Sequence, residues 1–103
     1  ERLTRREVAD IAASFQAAVV DVLVAKTMLA VRRTGTGTVV VGGGVAANRR
    51  LRTELAAACE REGVTLHLTP MAYCTDNGAM VAALAEHRLA AGRVAGLDLE
   101  ARA

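Results

Sequence analysis

Large aromatic side chains are nearly missing from this chain: one Phe, one Tyr and no Trp make up 2% of its 103 residues. A core without them has to be assembled from Ala, Val and Leu, because the side chains that usually dominate burial are not there. That shortage is a first sign of a piece of something larger. Proline occurs once, and with 52% hydrophobic residues the composition excludes a disordered chain. An excess of either charge is also lacking, since 13 basic and 11 acidic residues leave a formal charge of +2. No global field therefore argues for nucleic-acid binding, and such a contact would need a local patch. Cysteine is limited to Cys59 and Cys74. With no charged-then-apolar leader and no long apolar span expected, these fit a reduced cytoplasmic protein with two plain buried thiols and no membrane segment. No internal repeat, low-complexity tract or linker breaks the chain, so it holds one domain at most.

What is present is organised around Thr38 to Arg50, TVVVGGGVAANRR. Three consecutive valines suit a strand buried on both faces of a parallel sheet. Gly42, Gly43 and Gly44 end it, and residues without Cβ let a ligand lie against bare backbone. The helix expected to follow would turn its free N–H groups toward a phosphate or a polar ring edge. An ordinary tight strand-to-helix turn has the same sequence signature.

Upstream, Thr4 and Glu7 form a capping box. Val8, Ile11, Ala12, Phe15, Ala18, Val19, Val22 and Leu23 recur at three- and four-residue spacing. This predicts a long amphipathic helix over about 5–33, ended by Gly35. TGTGT connects it to the valine strand. A second helix starts near Asn48, carries Leu51, Leu55 and Ala58 inward and Arg49, Arg50 and Arg52 outward, and stops at Gly63. Val64, Leu66 and Leu68 alternate with Thr65 and His67 as a second strand ended by Pro70. A third helix runs over 79–91, and the tail from Arg93 to Ala103 is expected to fray. The fold class is α/β, in the order α-β-α-β-α with parallel strands whose C-terminal ends share one sheet edge, where ligands of such sheets bind.

Two parallel strands do not bury their own backbone. The chain is therefore expected either to be part of a longer protein or to complete its sheet as a homodimer.

Several residues carry chemistry with more than one reading. Gly42 to Ala47 fits the dinucleotide pattern G-x-G-x-x-A, but the next strand ends in His67-Leu68-Thr69 without the acid that would hold a ribose. Asp76 can cap the third helix, or Thr75 can take the cap and leave the carboxylate pointing outward. Asn48 can cap the second helix or meet a ribose or adenine edge. Arg49, Arg50 and Arg52 form a charged face that is either solvated or in contact with RNA. His67 and His87 sit on separate elements and read as structural or surface residues. A peptidase would need a nucleophile with a base, or H-E-x-x-H, and neither is present.

VVGGGVAANRRLR, then Asp76 within YCTDNGAM twenty-eight residues after Asn48, with DIAASFQ upstream, closely resemble the C-terminal region of the tRNA threonylcarbamoyladenosine transferase family. That family was formerly named O-sialoglycoprotein endopeptidases, or glycoproteases. The resemblance runs from about Glu1 to Gly92. It implies an actin- and hexokinase-like ATPase fold of two lobes, with this chain as much of the second, and a threonylcarbamoyl transfer from its adenylate to the adenosine beside the tRNA anticodon. It further implies that Gly43 and Gly44 lie against the adenylate or an ATP-like nucleotide, that Asn48 contacts substrate, and that Asp76 binds one divalent metal, iron or zinc. Its partner histidines, an H-x-x-x-H pair, belong to the first lobe and have no counterpart here. Family partner proteins are implied, and no catalytic residue falls within the chain, which by itself is expected to be inactive. The alternative is a stand-alone nucleotide-binding or dimerising module without the chemistry.

Overall fold

The computed structural model describes residues 2–96 together with 99 and 100. The first helix, α1 (Arg5–Thr34), opens on the expected capping box: the Thr4 hydroxyl accepts the Glu7 N–H at 3.3 Å and the Glu7 carboxylate accepts the Thr4 N–H at 2.7 Å. Gly35 closes it in the left-handed conformation.

The face α1 buries is not the one its spacing suggested. Val20, Met28 and Val31 are buried, with Leu23 and Val24 packed beside them, whereas Val8, Ile11, Phe15, Val19 and Val22 stay exposed. Two apolar stripes at helical spacing coexist, so the helix is not cleanly amphipathic, and contact with the sheet selects the second. The expected lack of a long apolar span is corrected by the same helix. Its most apolar 18-residue window has a mean hydropathy of 1.8, long and apolar enough by composition to cross a membrane. Only 6% of that window is buried here, although one side of α1 packs on α2 and the sheet.

Strand β1 (Thr38–Val41) pairs in parallel with β2 (Thr65–Leu68), Val39 opposite Leu66 and Val41 opposite Leu68. Between them, α2 (Arg49–Arg61) buries Leu51, Leu55, Ala58 and Cys59. Val39, Val41 and Leu66 pack with α1 and α2 on one side of the sheet. Val40, on the other side, is 74% exposed. The expectation of a strand buried on both faces is thus corrected: both helices cover the same face. Full burial of side chains such as Leu55 or Val20 contributes about 1.5–3 kcal/mol each. An exposed Arg32–Glu62 ion pair at 2.6 Å ties the end of α1 to the end of α2 and contributes about 0–1 kcal/mol.

The last helix, α3 (Gly78–Ala90), has no buried residue, and Met80, Val81, Leu84 and Leu89 are exposed along it. Arg93 to Gly96 form neither helix nor strand. The remainder of the expected frayed tail lies partly outside the described residues.

Candidate functional site

At the common end of the two strands the backbone is drawn tight. The Thr69 N–H donates to the Val41 carbonyl at 3.0 Å, and a Cβ on Gly42 would come within 3.0 Å of the Thr69 hydroxyl. Gly43 then takes φ 89 and ψ 172, a region open essentially to glycine alone. The glycines do not run directly into α2. A 3₁₀ turn, Gly44–Ala47, intervenes, and α2 begins only after Asn48 has capped it. The surface beside the glycines is therefore turn backbone, not the open N-terminus of a long helix. A Cβ on Gly43 or Gly44 would meet no atom within 4 Å, so this backbone faces open space.

The second wall comes from the connection between β2 and α3. A 3₁₀ turn over Met71–Tyr73 leads to Cys74, which is buried, and then to Thr75 and Asp76. Neither Thr75 nor Asp76 caps α3. Asn77 does so, its Oδ1 accepting the Met80 N–H at 3.0 Å while its Nδ2 donates to the Thr75 carbonyl at 3.0 Å. The Asp76 carboxylate is exposed, and no hydrogen bond or ion pair among the described residues engages it. Gly43, Gly44, Thr75 and Asp76 line one hollow of about 290 Å³, with Tyr73 and Met80 at its sides.

Asn48 lies elsewhere. It lines a separate, mostly apolar hollow of about 230 Å³ with Phe15, Gln16, Val19 and Val45. Its Oδ1 accepts the Leu51 N–H at 3.0 Å and its Nδ2 donates to Gln16 Oε1 at 2.9 Å. One amide hydrogen remains for another acceptor. The structure thus unites Gly43, Gly44 and Asp76 and places Asn48 in another hollow, with Val45 of the 3₁₀ turn on its wall.

Arg49 and Arg50 are exposed, as expected, but Arg52 is not part of an outer solvated face. Its Nε donates to the Ala46 carbonyl at 2.5 Å, and one Nη2 reaches both the Thr69 carbonyl at 2.5 Å and Cys74 Sγ at 3.0 Å. Sequence spacing missed this role because Arg52 directly follows the buried Leu51 and borders the helix's inner face. Only the folded loops supply its acceptors.

Both cysteines are free and buried, as anticipated. Burial pushes the Cys59 thiol up from its ordinary range, and the nearby Glu62 carboxylate adds to the shift. For a metal, no group of three or more His, Cys, Asp or Glu side chains comes together among the described residues. Neither His67 nor His87 lines the hollow of Asp76. Asp76 thus offers one exposed, unengaged carboxylate to this hollow, and no second His, Cys, Asp or Glu among the described residues joins it there except Cys74.

Residues 2–83 match the family described as TsaD: tRNA N6-adenosine threonylcarbamoyltransferase. A tRNA N6-adenosine threonylcarbamoyltransferase of Sorangium cellulosum is 59% identical over 90 residues, covering 87% of this chain and 25% of that protein. Proteins of the same name from Paracidovorax citrulli and Verminephrobacter eiseniae are 59% and 56% identical over 87 and 91 residues, covering 84% and 87% of this chain and 25% and 26% of their own. The chain spans about a quarter of the length of the curated relatives it matches.

Proposed function

The chain belongs to the tRNA N6-adenosine threonylcarbamoyltransferase family, and we propose that within a two-lobe transferase of that kind it forms one wall of the nucleotide and metal cleft. The reaction moves threonylcarbamoyl from its adenylate to the exocyclic amine of the adenosine beside the tRNA anticodon. A C–N bond forms at the carbamoyl carbon, the bond to the adenylate phosphate breaks, and the amine gives up a proton.

One observation carries this reading: the glycine turn and Asp76, far apart in sequence, line a single hollow. The exposed backbone at Gly43 and Gly44 lets the nucleotide lie against peptide groups without meeting a side chain. Asp76 supplies one anionic oxygen ligand to an iron or zinc ion, and the remaining ligands come from the first lobe. Held there by Asp76, such an ion would supply Lewis-acid polarisation of a carbonyl. Asn48, in its own hollow on the other side of the Gly44–Ala47 turn, has one amide hydrogen left for a ribose or adenine edge that extends past the turn, while its oxygen still caps α2. The exposed apolar residues of α1 and α3 pack against the rest of the enzyme and its partner proteins. We place this work in the cytoplasm, in keeping with a tRNA substrate and two free thiols.

The test is Asp76→Asn in the complete transferase. Asn77 is the cap of α3, so the fold is expected to persist while bound metal and tRNA modification are lost. A full equivalent of metal together with normal modification would overturn the assignment.

A further inference from the structure

We propose that Arg52 is the positioning residue of this site, its guanidinium holding the Asp76 loop against the glycine turn. The inference rests on the function proposed above, since it takes Gly43, Gly44 and Asp76 as the two walls to be aligned.

Among the described residues, no side chain outside the loop between β2 and α3 hydrogen-bonds to it except Arg52. Its own hydrogen bonds are local: Tyr73 N–H to the Pro70 carbonyl, Cys74 N–H to the Met71 carbonyl, and the Asn77 amide to the Thr75 carbonyl. The helix that follows buries no residue. After Thr69 leaves the strand ladder, the tie to the rest of the fold runs through Arg52, which reaches Thr69 at the start of the loop and Cys74 two residues before Asp76. The same side chain holds the Ala46 carbonyl, in the 3₁₀ turn that begins at Gly44. One planar group therefore bonds both to the turn that begins at Gly44 and to the loop that carries Asp76.

The chemistry suits arginine specifically. A guanidinium presents its donors in a fixed fork, so three acceptors on two chain segments are held at set angles to one another. A lysine ammonium carries a similar charge on a flexible stem and does not fix that geometry. Cys74 completes the arrangement as a small, fully enclosed acceptor at 2% exposure, its thiol lying 3.6 Å from the Thr69 and Pro70 carbonyls. No carboxylate pairs with Arg52 among the described residues. Its role is thus to brace backbone, and it does not belong to a surface ion network.

The experiment compares Arg52→Lys, Arg52→Gln and Cys74→Ala with Asp76→Asn in the complete transferase, reading melting temperature, metal affinity and KM for the adenylate. The positioning role predicts folded Arg52 variants whose metal affinity is weaker and whose KM is higher by about tenfold, the scale of one lost hydrogen bond to a charged group. Cys74→Ala should shift both in the same direction by less, and it carries the test if the Arg52 variants do not fold. In a further variant, Arg52→Ala, millimolar methylguanidine should partly restore metal affinity and KM. Variants with a lowered melting temperature but wild-type metal affinity and KM would overturn the inference, leaving Arg52 as a stabilising brace only. Normal metal binding in Asp76→Asn would instead sink the underlying reading, whatever Arg52 does.

Discussion

Asn48 joins α2 to α1 through Gln16: its Nδ2 donates to Gln16 Oε1 at 2.9 Å, across 32 positions of sequence, while its Oδ1 caps its own helix. The cap and the cross-link use different atoms of one amide, so they can be separated by substitution. Asn48→Asp keeps an oxygen for the cap, and the Gln16 amide can turn to donate to it. Stability should stay near that of the parent, whereas Asn48→Ala should cost about 2 kcal/mol, one cap plus one hydrogen bond. If the remaining amide hydrogen reads the substrate, Asn48→Asp weakens nucleotide binding in the complete enzyme without lowering its melting temperature. Equal affinity of parent and Asn48→Asp would confine Asn48 to its structural role.

Gly44 offers a cleaner probe of the nucleotide wall than Gly43. A side chain at Gly43 would be strained by φ 89, but one at Gly44 meets no neighbouring atom within 4 Å. Gly44→Val should therefore fold and melt like the parent while filling the hollow, and calorimetry should find nucleotide affinity reduced by about tenfold or more. Unchanged affinity in the folded variant would return the glycines to the status of a plain turn.

The 103-residue chain alone should not modify tRNA when given threonylcarbamoyl adenylate, because Asp76 gathers no other metal ligands among the described residues. Metal analysis of the purified chain should find no stoichiometric iron or zinc. Turnover by the chain by itself would refute the view that the site needs a second lobe.

Cys59 should be inert to thiol reagents in the native protein at neutral pH and react only on unfolding, because burial keeps it protonated. Its folded-state pKa is raised above the ordinary 9.0, so the stabilisation is fully present below that pH. As pH rises the unfolded thiol ionises first, and stability is lost until the folded-state pKa is passed. Denaturant midpoints measured across this range should fall more steeply for the parent than for Cys59→Ala. That variant should itself cost about 1 kcal/mol through the small cavity it leaves. Parallel pH profiles would show that the thiol does not contribute.

The parts legible in the sequence were those governed by neighbours a few residues apart. Thr4 with Glu7, Asn48 with Leu51, and Gly63 mark helix ends through local hydrogen bonds and local backbone preference, and each stands where its residue type suggests. Misread features depended on what lies across the fold. Both apolar stripes of α1 satisfy helical spacing, and only the position of the sheet chooses Val20, Met28 and Val31. Val40 has the character of an inner-strand residue, yet both helices pack on the opposite face. At the site, the pairing of the glycine turn with Asp76 followed from parallel topology. The separation of Asn48 did not, since it arises from a 3₁₀ turn that no single residue announces. Asn77, not Thr75 or Asp76, capped α3 because three adjacent residues are all competent caps and the loop's path decides among them.

With two strands in its sheet, the chain leaves both outer rows of peptide groups without a strand partner among the described residues. One of those rows belongs to Thr38-Val39-Val40-Val41, an uncharged β-branched segment with Val40 standing open to solvent. Such an edge is a template for another extended chain. The residues that make β1 a sound inner strand of a broad sheet thus become a self-association hazard whenever that sheet is left narrow. For the isolated polypeptide the practical ceiling will be colloidal: its usable concentration should be set by edge-to-edge growth before it is set by unfolding.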